Sequence, residues 1–193
     1  ELVKILGKIV HNALRNSGAR SGDVVAVQGI GGLGHLGVQY ARRMGFKTVA
    51  LGRGKDKGPL AEKLGAHQYI DSDVTDTAAE LQKLSGARVI LATAPSAKAI
   101  SAVVDGLGVN GNLLVPAAPM EPLSVNALSL IMGRRSVSGC YSGTARDSQD
   151  TLEFSAFNGV HPMIEKYPLN RVADAYEQMN SGKVRFRVVL IMQ

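Results

Sequence analysis

The stretch Val24-Val25-Ala26-Val27-Gln28-Gly29-Ile30-Gly31-Gly32-Leu33-Gly34-His35-Leu36-Gly37 decides the fold. Its β-branched opening reads as a short buried strand. A glycine-rich turn follows. From Leu33 to Met44 apolar residues then recur at Leu36, Val38, Tyr40, Ala41 and Met44, a helical pattern closed by Gly45. Gly29, Gly31 and Gly34 spell G-x-G-x-x-G directly after the strand and at the mouth of the helix. The spacing alone is a weak signal; in this setting it is the signature of a turn that takes a dinucleotide. Gly29 permits the tight turn, Gly31 lets the backbone approach a pyrophosphate without a Cβ in the way, and Gly34 lets helix and strand pack closely. The free N–H groups of Gly32 and Leu33 at the helix start would face the phosphates. The alternative is a βα turn of the same composition that binds nothing.

Downstream, strands and helices alternate. Lys47 to Leu51 reads as a second strand and Lys57 to Leu64 as a helix closed by Gly65. Gln68 to Ile70 is a third strand, followed by Asp71-Ser72-Asp73, which can cap a helix running through Leu84. Arg88 to Ala92, a helix over Ser96 to Leu107, and Gly111 to Pro116 complete the series. Helices between strands mean right-handed crossovers and a parallel sheet, so the expected fold is α/β and doubly wound. After Pro116 the pattern loosens. Leu128 to Met132 is a brief apolar stretch, Ser136 to Cys140 a sixth strand, and Asp147 to Asn158 a helix with Asp147 or Ser148 near its cap. Ile164 to Pro168 is extended, Val172 to Asn180 a helix, and Phe186 to Met192 a terminal strand.

Composition narrows the function classes. With 193 residues the chain is long enough for one full domain. A single cysteine, Cys140, excludes an internal disulfide and any Cys-cluster zinc site, and His11, His35, His67 and His161 are too scattered to pair as metal ligands. The net charge of +6 suits anionic ligands. Nucleic acid is disfavoured because the basic residues are dispersed, aromatics make up only 5%, and tryptophan is absent. No apolar run is long enough to span a membrane. The opening Glu1-Leu2-Val3-Lys4 lacks signal-peptide order, so a cytoplasmic protein is expected, and the absence of an initial Met suggests a piece of something longer.

A dinucleotide turn calls for an acid about 20 residues on, to hold the adenosine ribose hydroxyls. The second strand instead runs into Gly52 and Arg53, and no carboxylate comes before Asp56; Arg53, Lys55 and Lys57 surround the position. A missing acid with bases nearby favours a 2′-phosphate, hence NADP over NAD. The alternative is that these are solvated loop charges, with Arg53 stacked on adenine.

These residues resemble the medium-chain zinc-dependent alcohol dehydrogenase family. The resemblance rests on Gly29 to Ala41, on Ala61-Glu62-Lys63-Leu64-Gly65-Ala66, and on the ending Ala175-Tyr176-Glu177-Gln178-Met179, Ser181-Gly182-Lys183 and Arg185 to Val189. It runs from about Asn12 to the end and looks closest to microbial and cinnamyl-alcohol-dehydrogenase-like members. It implies a lead-in helix from a catalytic domain over residues 1–20, a Rossmann dinucleotide-binding domain over 21–160, and a tail over 161–193 that returns to the catalytic domain. The parent reaction would be reversible hydride transfer between an alcohol or aldehyde and NAD(P). Gly32 and Leu33 would meet the pyrophosphate, and Gly52 and Arg53 the adenosine ribose or its phosphate. Ala92, Thr93 and Ala94, with Val115, Pro116 and Ala117, would line the groove at strand C-termini. Arg187 matches a family arginine near the pyrophosphate, or is an ordinary strand-edge charge. The family's catalytic and structural zinc ligands have no counterparts here, and an ungapped count puts Ile5 where a family cysteine usually lies; alone, this chain is expected to be inactive. The strand near Ser136 to Cys140 often pairs across a family dimer, so a homo-oligomer is expected.

Two further readings stay open: a zinc-independent quinone or enoyl reductase on the same fold, and a truncated module that binds dinucleotide without turnover. Tyr-x-x-x-Lys, the phosphate loop G-x-x-x-x-G-K-[ST] and the elbow G-x-S-x-G are all absent. Cys140 reads as a structural thiol, since no base neighbours it. His35 could approach a cofactor or sit partly exposed at the helix start. His11 could titrate near a substrate. His67 and His161 look like loop or strand-edge residues, and Arg42-Arg43 like the wet face of the helix.

Overall fold

A computed structural model describes residues 6–192. Glu1 to Ile5 and Gln193 lie outside the described residues, and with them the opening tetrapeptide and the Ile5 position. The first helix, α1 (Lys8–Arg15), precedes β1 (Val24–Gln28), α2 (Gly34–Arg43), β2 (Lys47–Gly52), α3 (Gly58–Lys63), β3 (Gln68–Asp71), α4 (Thr77–Gln82), β4 (Ala87–Ala92), α5 (Ala97–Ala102), β5 (Leu107–Val115), α6 (Ala127–Gly133) and β6 (Ser136–Gly139). These strands form one six-stranded sheet in the order β3-β2-β1-β4-β5-β6, with every pairing parallel. Then come α7 (Ala145–Asn158), β7 (Ile164–Pro168), α8 (Val172–Asn180) and β8 (Arg187–Ile191); β7 and β8 pair in parallel as a separate small sheet.

Period-2 alternation divides each central strand between two apolar layers. Val25 and Val27 of β1, with Val89 and Leu91 of β4, face the layer of α1, α2 and α3. Ala26 and Ile90 face the opposite layer, with Leu81 of α4 and Ile100 of α5. Both faces are covered, which is why these strands read as near-continuous apolar runs. α1 contributes Val10, Ala13 and Leu14 to the same cluster as Leu36 and Tyr40 of α2. Strand order reverses between β1 and β4, and such a reversal opens a crevice at the strand C-termini, where open α/β sheets bind ligands.

Several local expectations are corrected. α4 is capped by Asp76, whose carboxylate accepts the N–H groups of Ala78 and Ala79, not by Asp71 to Asp73. Asp71 belongs to β3 and is otherwise engaged. α7 begins at Ala145 under a Thr144 cap, with Asp147 at the third helical position closing a reciprocal capping box. The apolar stretch at Leu128 to Met132 is a helix, α6, capped by Asn126. β5 starts at Leu107, because a register irregularity against β4 accommodates the residues before Gly111. No helix among the described residues is long and apolar enough to cross a membrane.

Candidate functional site

The loop from Gly29 to Gly34 sits at the C-terminal end of β1, between β2 and β4. Gly29 has φ +87°, the left-handed region that glycine tolerates. Its N–H donates to Leu51 O at 2.8 Å, tying the loop to β2. On the other side Thr93 N–H donates to Gln28 O at 2.9 Å, and the Thr93 hydroxyl lies 2.8 Å from Gln28 O and 2.9 Å from Gly29 O. Thr93 therefore clamps the turn from the end of β4.

The other glycines of the turn are needed for different reasons. A Cβ at Gly34 would lie 1.6 Å from Gly29 O, so no side chain fits there. A Cβ at Gly31 would meet nothing within 4 Å. Protein packing does not require a glycine at that position, and the space in front of it is open to a ligand. A Cβ at Gly32 would stand 2.7 Å from Arg187 Nε, so the β8 guanidinium lies directly over the turn. Arg187 Nε is buried and has no hydrogen-bond partner among the described residues. No backbone carbonyl among the described residues takes the N–H of Gly32 or Leu33. An open approach at Gly31, unengaged amides and an orphaned guanidinium N–H together fit a pyrophosphate.

His35 is wholly buried, which corrects the expectation of a partly exposed residue. Met163 N–H donates to His35 Nε2 at 3.0 Å, so that nitrogen carries the lone pair and the proton sits on Nδ1. Nδ1–H then donates to Gly31 O at 2.9 Å. The ring stacks on Phe186, with centroids 4.8 Å apart. Burial, partly offset by the Gly31 hydrogen bond, holds its pKa below the usual histidine range. His35 thus stays neutral and lies beneath the turn, facing the protein interior.

At the end of β2, Gly52 carries the carbonyl that accepts both Ser72 N–H (2.8 Å) and the Ser72 hydroxyl (3.0 Å). A Cβ at Gly52 would lie 2.8 Å from the Tyr69 hydroxyl. That hydroxyl donates to Gly54 O at 2.8 Å, and Asp71 accepts Gly54 N–H at 2.9 Å. Burial, reinforced by Asp71, Asp56 and Asp73, pushes the Tyr69 pKa up to about 12, so the phenol remains a donor. Tyr69 and Asp71 shape this loop, a role that a Tyr and an Asp two apart on a short strand do not signal without the fold. Arg53 is exposed, Lys57 is half-buried, and neither forms a salt bridge among the described residues. Ala92 ends β4 and Ala94 lies against Gly29; Val115 ends β5, with Pro116 and Ala117 half-buried after it.

The remaining candidates lie elsewhere. A groove of about 630 Å³ between α1 and α7 includes His11, Arg15, Phe154 and Phe157 in its lining and no residue of the glycine turn. Its histidine is structural: Thr151 Oγ1 donates to Asp147 O at 2.7 Å, so His11 Nδ1–H donates to Thr151 Oγ1 at 3.0 Å. Cys140 is half-buried, and burial raises its thiol pKa, which suits an inert thiol. Among the described residues no three His, Cys, Asp or Glu side chains converge as metal ligands.

Residues 32–156 match the zinc-binding dehydrogenase family. The alcohol dehydrogenase notN of Aspergillus sp. is 42% identical over 186 residues, covering 96% of this chain and 55% of that protein. The solved cinnamyl alcohol dehydrogenase of Sorghum bicolor superposes with a TM-score of 0.87 at 27% identity, over 98% of this chain and 54% of its own. The alcohol dehydrogenase of Aeropyrum pernix gives a TM-score of 0.89 at 25% identity, over 98% and 56%. The chain spans about half the length of the curated relatives it matches.

Proposed function

The chain belongs to the zinc-binding dehydrogenase family, and on that premise we propose that it is the dinucleotide-binding part of an NAD(P)-dependent alcohol dehydrogenase. The observation that carries this reading is the Arg187 guanidinium lying over Gly32, its buried Nε without a partner among the described residues, beside an open approach at Gly31. The chemistry that a bound nicotinamide cofactor would supply here is hydride exchange with an alcohol or aldehyde. The chain's own residues bind and orient. The amides of Gly32 and Leu33 and the Arg187 side chain take the pyrophosphate. Thr93 keeps the turn in shape, with Ala92, Ala94, Val115, Pro116 and Ala117 lining the groove. Residues 21–160 act as the dinucleotide unit, and 161–193 rejoin a catalytic unit that also supplies the zinc ligands.

At the adenosine end the preferred cofactor is NADP. Arg53 is exposed and forms no salt bridge among the described residues, Lys57 stands close in sequence, and the Asp71 carboxylate at the end of β3 is occupied by the Gly54 amide. A homo-oligomer forms through the outer edge of β6, which among the described residues pairs only with β5, beside the exposed Leu128, Ile131 and Met132 of α6. Amide chemical-shift mapping tests the site. Adding NADPH should move Gly31, Gly32 and Leu33 together with Arg187. Shifts confined to other parts of the chain would reject the assignment.

A further inference from the structure

We propose that His35 and Gln39 are positioning residues that clasp the C-terminal tail to the glycine turn and thereby hold Arg187 over the pyrophosphate. This rests on the reading of the turn as a dinucleotide site. Both residues lie on α2, four apart and so on one face of the helix that opens with the turn. Gln39 Nε2 donates to His161 O at 3.0 Å, and Gln39 Oε1 accepts His161 N–H at 3.2 Å. One turn nearer the glycines, His35 Nε2 accepts Met163 N–H. Three hydrogen bonds thus hold the backbone of residues 161–163, the segment that leads into β7. Met163 O in turn accepts Phe186 N–H at 3.1 Å, and Phe186 stacks on His35.

The next residue along the chain is Arg187. Its guanidinium reaches Gly32 from a small sheet that shares no strand with the main one. A long cationic side chain arriving from a separate element loses its aim unless something fixes that element. Here the fixing group is the same imidazole that donates to Gly31 O. One buried ring therefore ties the tail that delivers Arg187 to the glycine turn. Each ring nitrogen has a distinct partner and Gln39 uses both ends of its amide, so neither residue is interchangeable with an apolar one of similar volume.

The test is dinucleotide titration of the 193-residue chain carrying His35→Ala, Gln39→Ala, Arg187→Ala and each pair with Arg187→Ala. His35→Ala should weaken NADPH about tenfold, as expected for a lost buried hydrogen-bonding group, and Gln39→Ala should act in the same direction. In the Arg187→Ala background neither substitution should cost more than about twofold, because the side chain they position is gone. Affinity for 2′-AMP, which carries no pyrophosphate, should stay unchanged. Hydrogen exchange at the Met163 and Phe186 amides should speed up in both variants. Losses that add in full to that of Arg187→Ala, or that extend to 2′-AMP, would overturn the proposal and leave His35 a support of the fold. Gln39→Ala keeps the test open if His35→Ala does not fold. Failure of the unsubstituted chain to bind either NADPH or NADH would instead reject the dinucleotide reading itself.

Discussion

Gly31 and Gly34 stand three residues apart and are glycines for opposite reasons. At Gly34 a side chain would strike the Gly29 carbonyl, so Gly34→Ala should cripple folding, visible as loss of a cooperative melt. At Gly31 the space is open, so Gly31→Val should leave the melting temperature nearly unchanged. The valine would nonetheless occupy the position of the pyrophosphate. Dinucleotide affinity should fall at least about tenfold, equivalent to about 1.4 kcal/mol, and unchanged affinity would remove the pyrophosphate from this loop. Arg53 makes a second residue-scale prediction. Arg53→Ala should weaken NADPH more than NADH, because only the former carries a 2′-phosphate for the guanidinium to meet. Equal losses would leave Arg53 as a stacking or solvated residue.

Helix ends show where local sequence is enough and where it is not. The strand, turn and helix at Val24 to Gly45 were legible because β-branched residues, glycines and a helical apolar period all agree there. The caps of α4 and α7 were misplaced by a few residues, since several Asp, Ser and Thr side chains compete nearby and only tertiary commitments decide among them. Asp71 was a plausible cap until the Gly54 amide claimed it. Asp76→Ala should therefore cost about 1 kcal/mol of stability, whereas Asp73→Ala should cost less; urea unfolding of both variants separates them. The packing of α1 on α7 makes a pH prediction. His11 is buried against Tyr40 and Phe154, and burial, then Arg15, bring its pKa from 6.5 down to about 4. Folding disfavours its protonation, so the stability it contributes is full above 6.5 and is lost as pH falls toward about 4. Burial of His35 acts in the same direction. His11→Asn should flatten the fall in urea midpoint over this window, and an unchanged slope would place the acid sensitivity elsewhere.

At the scale of the whole molecule, the parallel, doubly wound character of the sheet follows from the alternation of strands and helices in the sequence, whereas the order of its six strands does not. What the sequence hides is long-range. His35 is separated from Met163 by 128 positions, and nothing near either residue announces that they meet. The same holds for Arg187, whose place over Gly32 was legible only through resemblance, because a small separate sheet delivers it. The β6 edge and the apolar residues of α6 give the molecule a surface suited to a second copy. Sedimentation should find a dimer that Ile131→Glu dissociates; a monomer at all concentrations would exclude that edge as an interface.

Calorimetric titration of the 193-residue chain with NADPH and NADH, side by side, tests whether the glycine turn holds a dinucleotide. Binding should be saturable and one-to-one, tighter for NADPH, and Gly31→Val should abolish it without loss of fold. Absence of heat with both nucleotides, or binding that Gly31→Val leaves intact, would contradict that assignment.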